Sequence, residues 1–196
     1  MKVLFFADIH ASKKACREIE QIINKQHFDH IVCCGDVVGY GTDPGYCINF
    51  LKHNSILTVK GNHEAMLLSE IPLEDNAVVK QSIKWTRENL DLKHIQFIQG
   101  LPDYLELEIF YITHSILGKY LYGVKDIQQD ILEIIENINK DIIVLGHTHT
   151  QYCFEVDNKI LLNPSSITKG RKGNLRGYAI YEDHNIHFVL LTERIT

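Results

Sequence analysis

The sequence predicts an α/β fold in which one β-sheet packs on a second and helices cover the outside. Three observations lead to this prediction. Strand-length apolar runs alternate with helix-spaced runs over residues 2–59, which is the rhythm of parallel strands joined by helices. Strand-like runs separated by tight turns occupy residues 151–192. The 196 residues, 45% of them apolar, suffice for one domain, 1–196, with a full core.

The amino-terminal elements follow one another at short intervals. Three apolar runs predict strands, at residues 2–7, 30–34 and 55–59. Ser12 is a good N-cap for a helix that continues to about Gln26, and a second, short helix covers about 45–53. Segment 35–44 contains three glycines and a proline, so it is predicted to be a shaped loop. This β-α-β-α-β order implies a parallel sheet with right-handed crossovers.

The later elements change from helical to extended. Residues 64–99 show helical spacing in three pieces, and a further helix spans about 126–138. Residues 103–107 and 109–113 are predicted to form a hairpin or two edge strands, and further strands are predicted at 141–145, 151–156, 159–162, 177–182 and 186–192. Turns at Asp157-Asn158 and from Asp183 to Asn185 join the last two pairs, because Asp and Asn tolerate positive φ.

The composition narrows the classes of function. A net charge of −5 with neutral histidine gives no sign of the basic surface of a duplex-binding protein, which argues against long nucleic acid as the main substrate. No apolar run approaches the ~20 residues of a membrane span, and the amino terminus has no signal-peptide pattern. The five cysteines show no CxxC or zinc spacing, which predicts reduced, buried thiols in a cytoplasmic protein. The oligomeric state is left open.

Polar side chains of one chemical kind stand at the ends of the apolar runs. They are Asp8, His10, Asp36, Asn62, His114, His147 and His149. Ligands bind at the carboxyl ends of strands in open α/β sheets, and these side chains are metal-ligand types. A carboxylate can bridge two divalent cations about 3.5–4 Å apart, a common hydrolytic arrangement for phosphate esters. The pattern therefore predicts a two-metal site, with His63 beside it and suited to protonate a leaving alkoxide.

Each of these residues also has an ordinary structural interpretation. Asp8 or Asp36 alone could cap a helix or a turn. His147 and His149 alone could simply share one face of an extended segment. Seven such residues at one sheet edge favour the metal site over these separate interpretations.

The motifs together resemble those of a known family. Asp8-x-His10, Gly35-Asp36, Gly61-Asn-His-Glu64, His114 and Gly146-His-x-His149 look like the five ordered motifs of the calcineurin-like metallophosphoesterase superfamily. Further segments are similar to its small single-domain bacterial and archaeal phosphodiesterase branch, namely Val37–Pro44, Trp85-Thr86, Leu101-Pro102 and Asn163–Ser166. The resemblance runs over essentially the whole chain.

The resemblance implies a fold, a cofactor and a set of roles. The fold would be a four-layer α/β-β-α sandwich of two mixed sheets flanked by helices. Two divalent metal ions would be bound, the first by Asp8, His10, Asp36 and His149, the second by Asp36, Asn62, His114 and His147. Asn62 and His63 would be catalytic, with His63 as general acid while a metal-bridging hydroxide attacks phosphorus. Mn, Fe, Zn or Ni would suit these ligands, and manganese is favoured.

The sequence departs from the family pattern at three places. Glu64 stands where this branch more often has Asp, and Ser165 where Gly is usual. The Ser/Thr protein phosphatase branch carries an Asp-Arg pair where this chain has Gly39 and Tyr40, so the Arg that grips a phosphomonoester is missing. Tyr40 is equally suited to shaping a substrate pocket and to packing the glycine-rich loop.

The basic run 169–176 follows the last metal motif and offers candidate substrate contacts. Asn163 and Arg176 are the predicted substrate-binding residues, whereas Arg171 and Lys172 are expected to lie in a solvated loop. The predicted function is a dinuclear-metal-dependent phosphodiesterase acting on small molecules or nucleotides. The alternatives are a phosphomonoesterase, including a phosphoprotein phosphatase, and a non-catalytic scaffold like the retromer subunit that resembles these enzymes.

Overall fold

The computed structural model describes residues 1–192, which form ten strands and six α-helices. The first half contains β1 (Lys2–Phe6), α1 (Lys13–Ile23), β2 (His30–Cys33), α2 (Pro44–His53), β3 (Leu57–Thr58), α3 (Asn62–Leu68), α4 (Ala77–Glu88) and α5 (Leu92–Gln99). The second half contains β4 (Tyr104–Leu107), β5 (Phe110–Thr113), a 3-10 turn at Val124–Asp126, α6 (Gln129–Asn137), β6 (Ile142–Val144), β7 (Tyr152–Val156), β8 (Lys159–Asn163), β9 (Arg176–Glu182) and β10 (Asn185–Leu191).

The strands form two mixed five-stranded sheets. The first has the order β10-β9-β1-β2-β3, in which β1, β2 and β3 are parallel and β9 runs antiparallel to β1. The second has the order β4-β5-β6-β8-β7, in which β5, β6 and β8 are parallel. The two C-terminal hairpins divide between the sheets, since β7–β8 joins the second and β9–β10 the first.

The side chains of the central strands separate four layers. Along β1, Leu4 and Phe6 pack with the buried faces of the helices α1 to α5, whereas Phe5 packs toward the second sheet. The rings of Phe5 and Phe110 meet between the sheets with their centroids 5.0 Å apart. The other face of the second sheet packs on α6, for example through Ile143. The predicted α/β-β-α sandwich is confirmed.

Most predicted elements are present, but some boundaries and one burial prediction were wrong. The helix after Ser12 ends at Ile23 rather than near Gln26, and Ser55, with φ of 51°, delays the third strand so that only Leu57–Thr58 pairs. Four cysteines are buried free thiols, whereas Cys153 is exposed on the edge strand β7. Within residues 1–192, no helix combines the length and the apolar character needed to cross a membrane.

The two sheets bring the carboxyl ends of their parallel strands to one place. A bridge between Ala7 and Ser166 links the end of β1 to the segment after β8, and the Ile167 amide donates to the Ala7 carbonyl over 2.9 Å. The Gly146 amide, after β6, donates to the His114 carbonyl, after β5, over 3.0 Å. The loops that follow β1, β2, β5 and β6 therefore meet above the core between the sheets.

The inter-sheet core should carry much of the stability, and phenylalanine truncation tests this. Phe110 is fully buried, whereas Phe188 on β10 is 37% exposed. We expect Phe110→Ala to lower the free energy of unfolding by about 3–5 kcal/mol, because it leaves a cavity, and Phe188→Ala by about 1 kcal/mol or less. Urea unfolding with a chelator present isolates this effect from metal binding. Equal losses for the two variants would contradict this account of the core.

Candidate metal centre

All seven predicted ligands and His63 meet at this junction. Asp8 Oδ1 lies 3.4 Å from His149 Nε2, and His149 Nε2 lies 3.1 Å from His10 Nε2. Asp36 Oδ2 lies 3.3 Å from His114 Nε2. Asn62 Oδ1 lies 3.0 Å from His114 Nε2 and 2.9 Å from His147 Nδ1. Asn62 is half-buried and the other six candidate ligands are buried, so residues far apart in sequence share one enclosed space.

The ligand atoms divide into two main groups. The first group is Asp8, His10 and His149, and the second group is Asp36, His114 and His147; within each, the ligand atoms lie within 4.8 Å of one another. Asn62 adds its oxygen to the second group. Asp36 also forms such a set with His10 and His63, with Oδ2 4.0 Å from His10 Nε2 and 3.9 Å from His63 Nε2. Asp36 thus connects the two groups.

Backbone carbonyls orient three of the four candidate histidine ligands. The Nδ1 atoms of His10, His114 and His149 face the carbonyl oxygens of Val38 (3.2 Å), Cys34 (2.7 Å) and Lys169 (2.9 Å), respectively. An Nδ1–H donor in each contact leaves Nε2, which points into the shared space, as the ring nitrogen that would bind a cation once it carries no proton. Outer hydrogen bonds of this kind fix the tautomer and ring orientation of metal-binding histidines.

The electrostatics of the cluster favour a cation. Burial lowers the pKa of His10 to about 3 and that of His147 to about 4, so both imidazoles are neutral and offer lone pairs near neutral pH. Burial alone would raise the pKa of Asp36, but the charges of His114 and His63 hold it well below its usual range. Burial by itself would lower the pKa of His114, yet the Asp36 carboxylate raises it to about 10. A cation bound here would compete with that proton.

The residues present also fit a metal chemically. Carboxylate, amide and imidazole donors suit Mn, Fe, Zn or Ni. Asp8 Oδ2 is buried, and none of residues 1–192 donates a hydrogen bond to it. An unsatisfied buried acceptor of this kind is costly, and a bound cation would relieve the cost.

Five of the candidate ligands have a strained backbone. The φ angles of Asp8, His10, Asp36, His147 and His149 are 58°, 48°, 54°, 68° and 55°. The left-handed region costs most residues about 1–2 kcal/mol, although Asp and His enter it more readily than others. Strain of this kind clusters at functional sites, where the surrounding structure enforces it.

Glu64 and two glycines hold the Asp36 loop in place. The Glu64 carboxylate accepts hydrogen bonds from the amides of Asp36 (3.0 Å), Val38 (2.9 Å) and Gly61 (2.8 Å), and burial together with the Asp36 charge raises its pKa to about 7. A Cβ at Gly61 would lie 2.2 Å from Asp36 Oδ1, and one at Gly39, where φ is 87°, would lie 2.0 Å from His63 Nδ1. Glycine at both positions is therefore a steric requirement of the site.

The structure does not support the predicted substrate contacts of Asn163 and Arg176. Asn163 is fully buried, and its Nδ2 donates to the Gly146 carbonyl (2.6 Å) and to Thr148 Oγ1 (3.0 Å), so its contacts hold the loop that carries His147 and His149. The buried Arg176 donates to Glu18 Oε1 on α1 over 3.1 Å and to the Ile167 carbonyl over 3.0 Å. These internal partners engage both side chains.

Other residues at the site were missed or ranked too low. Arg171, expected to be solvated, is half-buried and lines a cavity of about 680 Å³ together with Tyr40, His10 and His149. Tyr120 stacks on His147, with the ring centroids 4.1 Å apart and the planes at 25°. Tyr40 was already a candidate for shaping the pocket, whereas nothing in the sequence singled out Tyr120. The basic run predicted that this loop lies near the site, where Arg171 lines the cavity and Arg176 is paired internally.

Comparison with known proteins agrees with this geometry. The calcineurin-like phosphoesterase superfamily domain matches residues 1–185. The chain belongs to this superfamily. The predicted resemblance and the broad class, a metal-dependent phosphoric ester hydrolase, are thereby confirmed.

Individual members of the calcineurin-like superfamily are similar over most of the chain. Phosphodiesterase MJ0936 from Methanocaldococcus jannaschii is 25% identical over 169 residues, which cover 84% of this chain and 82% of that protein. Phosphodiesterase YfcE from Escherichia coli K12 is 20% identical, over 99% of this chain and 94% of YfcE. The crystal structure of a metallophosphoesterase from Sphaerobacter thermophilus has a TM-score of 0.77 at 21% identity, over 99% of this chain and 90% of that one. This last likeness supports the calcineurin-like fold.

Substitution of Asp36 tests whether it joins two metal positions. We expect Asp36→Asn to weaken manganese binding at both positions by at least about 10–100-fold, the loss caused by removing even outer contacts of a metal site. The amide keeps an oxygen for the His63 amide, which donates to Asp36 Oδ1 over 2.9 Å, so the local fold is preserved. Metal analysis after dialysis measures the effect, and Asp43→Asn, in the cavity lining, is the control. Full metal content, or loss of only one ion, would contradict the shared role.

Proposed function

We propose that the protein is a dinuclear-metal-dependent phosphodiesterase that hydrolyses small-molecule or nucleotide phosphodiesters. The observation that carries this proposal is the pair of ligand groups joined by Asp36. Asp8, His10 and Asp36 follow strands of the first sheet, whereas His114 and His147 follow strands of the second. Because neither sheet alone supplies the ligands, we propose that residues 1–196 act as one domain.

The proposed ligand sets are those that the family resemblance suggests. Asp8, His10, Asp36 and His149 would bind one divalent cation, and Asp36, Asn62, His114 and His147 the other. Manganese is the metal that we favour. Two bound cations would lower the pKa of water and offset the negative charge on the phosphoryl oxygens. The chain itself provides the enclosed setting, since the imidazoles and carboxylates are oriented before any substrate arrives.

His63 is the proposed general acid. Its amide is bound to Asp36 Oδ1, its Nε2 lies 3.9 Å from Asp36 Oδ2, and its ring is 4.8 Å from that of His10 and 4.7 Å from that of Tyr40. Within the described residues, Nδ1 has no hydrogen-bond partner. The ring is thus held among the candidate ligands and can deliver a proton to the oxygen of the leaving group.

The cavity beside the cluster supports a small substrate. Its volume of about 680 Å³ falls within the range of about 300–1,000 Å³ that is usual for small-molecule sites. Gly39 and Tyr40 replace the Asp-Arg pair of the protein phosphatase branch, and the relatives from M. jannaschii and E. coli are named phosphodiesterases. Both observations favour a diester. We also propose a cytoplasmic location, because four of the five cysteines are buried free thiols.

A comparison of two chromogenic esters tests the proposed substrate class. We expect the manganese-loaded protein to hydrolyse bis-p-nitrophenyl phosphate with a kcat/KM at least about tenfold above that for p-nitrophenyl phosphate, a difference of about 1.4 kcal/mol in activation free energy. The metal-free protein should hydrolyse neither. Preference for the monoester would indicate a phosphomonoesterase, and no hydrolysis of either ester would favour the scaffold alternative.

The leaving group can reveal whether His63 acts as an acid. General acids contribute about 10²–10⁴-fold, and mostly when the departing oxygen is strongly basic. We therefore expect His63→Gln to slow hydrolysis of diesters with alkoxide leaving groups by about this factor, and to slow p-nitrophenolate release much less. The exposed His53 provides a matched control, His53→Gln, with unchanged rates.

Two results would contradict the acid role. Equal losses for both leaving groups would show that His63 acts in another way. Loss of bound manganese from His63→Gln would indicate that His63 is a ligand, a role that its place in the set with His10 and Asp36 also permits.

A further inference from the structure

Arg171 is fixed against the candidate metal centre through its backbone and its side chain. Its amide donates to the His149 carbonyl over 3.0 Å, and His149 Nδ1 in turn faces the Lys169 carbonyl at 2.9 Å. Its Nη1 donates to the His147 carbonyl over 3.5 Å. The loop that carries Arg171 is thus held by hydrogen bonds to the segment that carries two candidate ligands.

Tyr120 contacts both Arg171 and His147. The Arg171 guanidinium lies 5.7 Å from the Tyr120 ring centroid, and the same ring stacks on the imidazole of His147 and, at 6.4 Å, on the ring of Tyr122. Burial would lower the pKa of Arg171, but the nearby Tyr120 side chain raises it. A planar guanidinium supported on an aromatic ring is preorganised, so less entropy is lost when it binds a ligand.

The surroundings of Arg171 differ from those of the neighbouring cations. No ion pair joins Arg171 to a carboxylate within residues 1–192, whereas Arg176 is paired with Glu18. Lys172 is exposed, and its ammonium lies over the separate ring of Tyr122 at 3.4 Å. Arg171 alone of these three lines the cavity that His10 and His149 also line.

A fixed positive charge beside metal ligands needs an electrostatic reason. It opposes cation binding, because like charges repel strongly in a partly buried site. An anionic group bound between the arginine and the cations would reverse that repulsion. A phosphodiester provides two non-bridging oxygens with one negative charge, and guanidinium matches phosphate geometry better than ammonium does.

We propose that Arg171 binds the phosphate of the substrate and that Tyr120 positions it. This inference rests on the proposed phosphodiesterase function and adds a contact that the metal motifs do not supply. It also explains how the chain can bind phosphate although Gly39 and Tyr40 replace the Asp-Arg pair of the protein phosphatase branch. The guanidinium comes from the loop after β8 instead of the loop after β2. Arg171 is a substrate-binding residue here, and Tyr120 is a positioning residue.

Phosphate binding tests the proposal without turnover. Inorganic phosphate is titrated calorimetrically into manganese-loaded wild type, Arg171→Gln, Arg171→Lys and Lys172→Gln. We expect Arg171→Gln to weaken phosphate binding by about 10–100-fold, the range for a charge-assisted hydrogen bond, with partial recovery in Arg171→Lys. Lys172→Gln removes an adjacent charge and should change the affinity less than about twofold. Manganese affinity, measured in the same variants, should not decrease.

Kinetics then separate Arg171 from Tyr120. With bis-p-nitrophenyl phosphate, Arg171→Gln should raise KM more than it lowers kcat. Tyr120→Phe should have a smaller effect of the same kind, since the ring is retained. The double variant Tyr120→Phe/Arg171→Gln should be no worse than Arg171→Gln alone, because a residue that acts through another has no effect in its absence. Additive losses would overturn the positioning role of Tyr120.

The outcomes distinguish this inference from the proposed function. Equal phosphate affinity in wild type and Arg171→Gln would overturn the inference even if diester hydrolysis is intact. Equal weakening of phosphate binding in Lys172→Gln would also overturn the inference, because it would show a general charge effect. Loss of manganese from Arg171→Gln would overturn it as well, because it would show an effect on the metal ligands. Arg171-dependent phosphate binding by a protein that hydrolyses no ester would support the inference and contradict the proposed function.

Discussion

The rest of the site depends on one buried carboxylate, that of Asp36. Its Oδ2 faces His114, His10 and His63, its Oδ1 accepts from the His63 amide, and its own amide is bound by Glu64. The buried carboxyl groups of Asp36 and Glu64 thus lie close together. The chain tolerates this because amides surround Glu64 and imidazoles surround Asp36. Glu64 accepts hydrogen bonds from three backbone amides, including that of Asp36. Because both side chains are acids, Glu64 supports the Asp36 loop through these hydrogen bonds and not through charge attraction.

The two-sheet architecture explains why these strained loops persist. Asp8, Asp36, His114 and His147 each follow a strand with side chains buried in the core between the sheets. The packing of rings such as Phe5 on Phe110 fixes the distance between the sheet edges. Each residue with positive φ costs about 1–2 kcal/mol, so these loops would relax to another conformation if either sheet edge could shift. The core thus supplies the stability that holds the strained ligand loops in place.

The sequence predicted the part of the site that is encoded locally. Asp8, Asp36 and His147 follow apolar runs, and the run itself indicates where each side chain will be. Residues set by distant partners were not predictable in this way. Arg171 and Arg176 belong to one basic run, yet Glu18 selects which of them is internal, and Glu18 is 158 positions from Arg176. A pattern of charges along the chain contains no information about that partner.

That distant ion pair also completes the account of the loop after β8. Asn163 fixes the start of the segment to the His147 loop, and Arg176 fixes its end to α1. Between them, Ser165 takes a φ of 77°, and its Oγ donates to the His149 carbonyl over 3.2 Å, which ties the strained turn to the site. The buried Arg176 guanidinium would be left uncompensated if this pair were broken, which disfavours other arrangements of the loop. With both ends fixed, the position of Arg171 over the cavity follows from the fold itself, before any ligand binds.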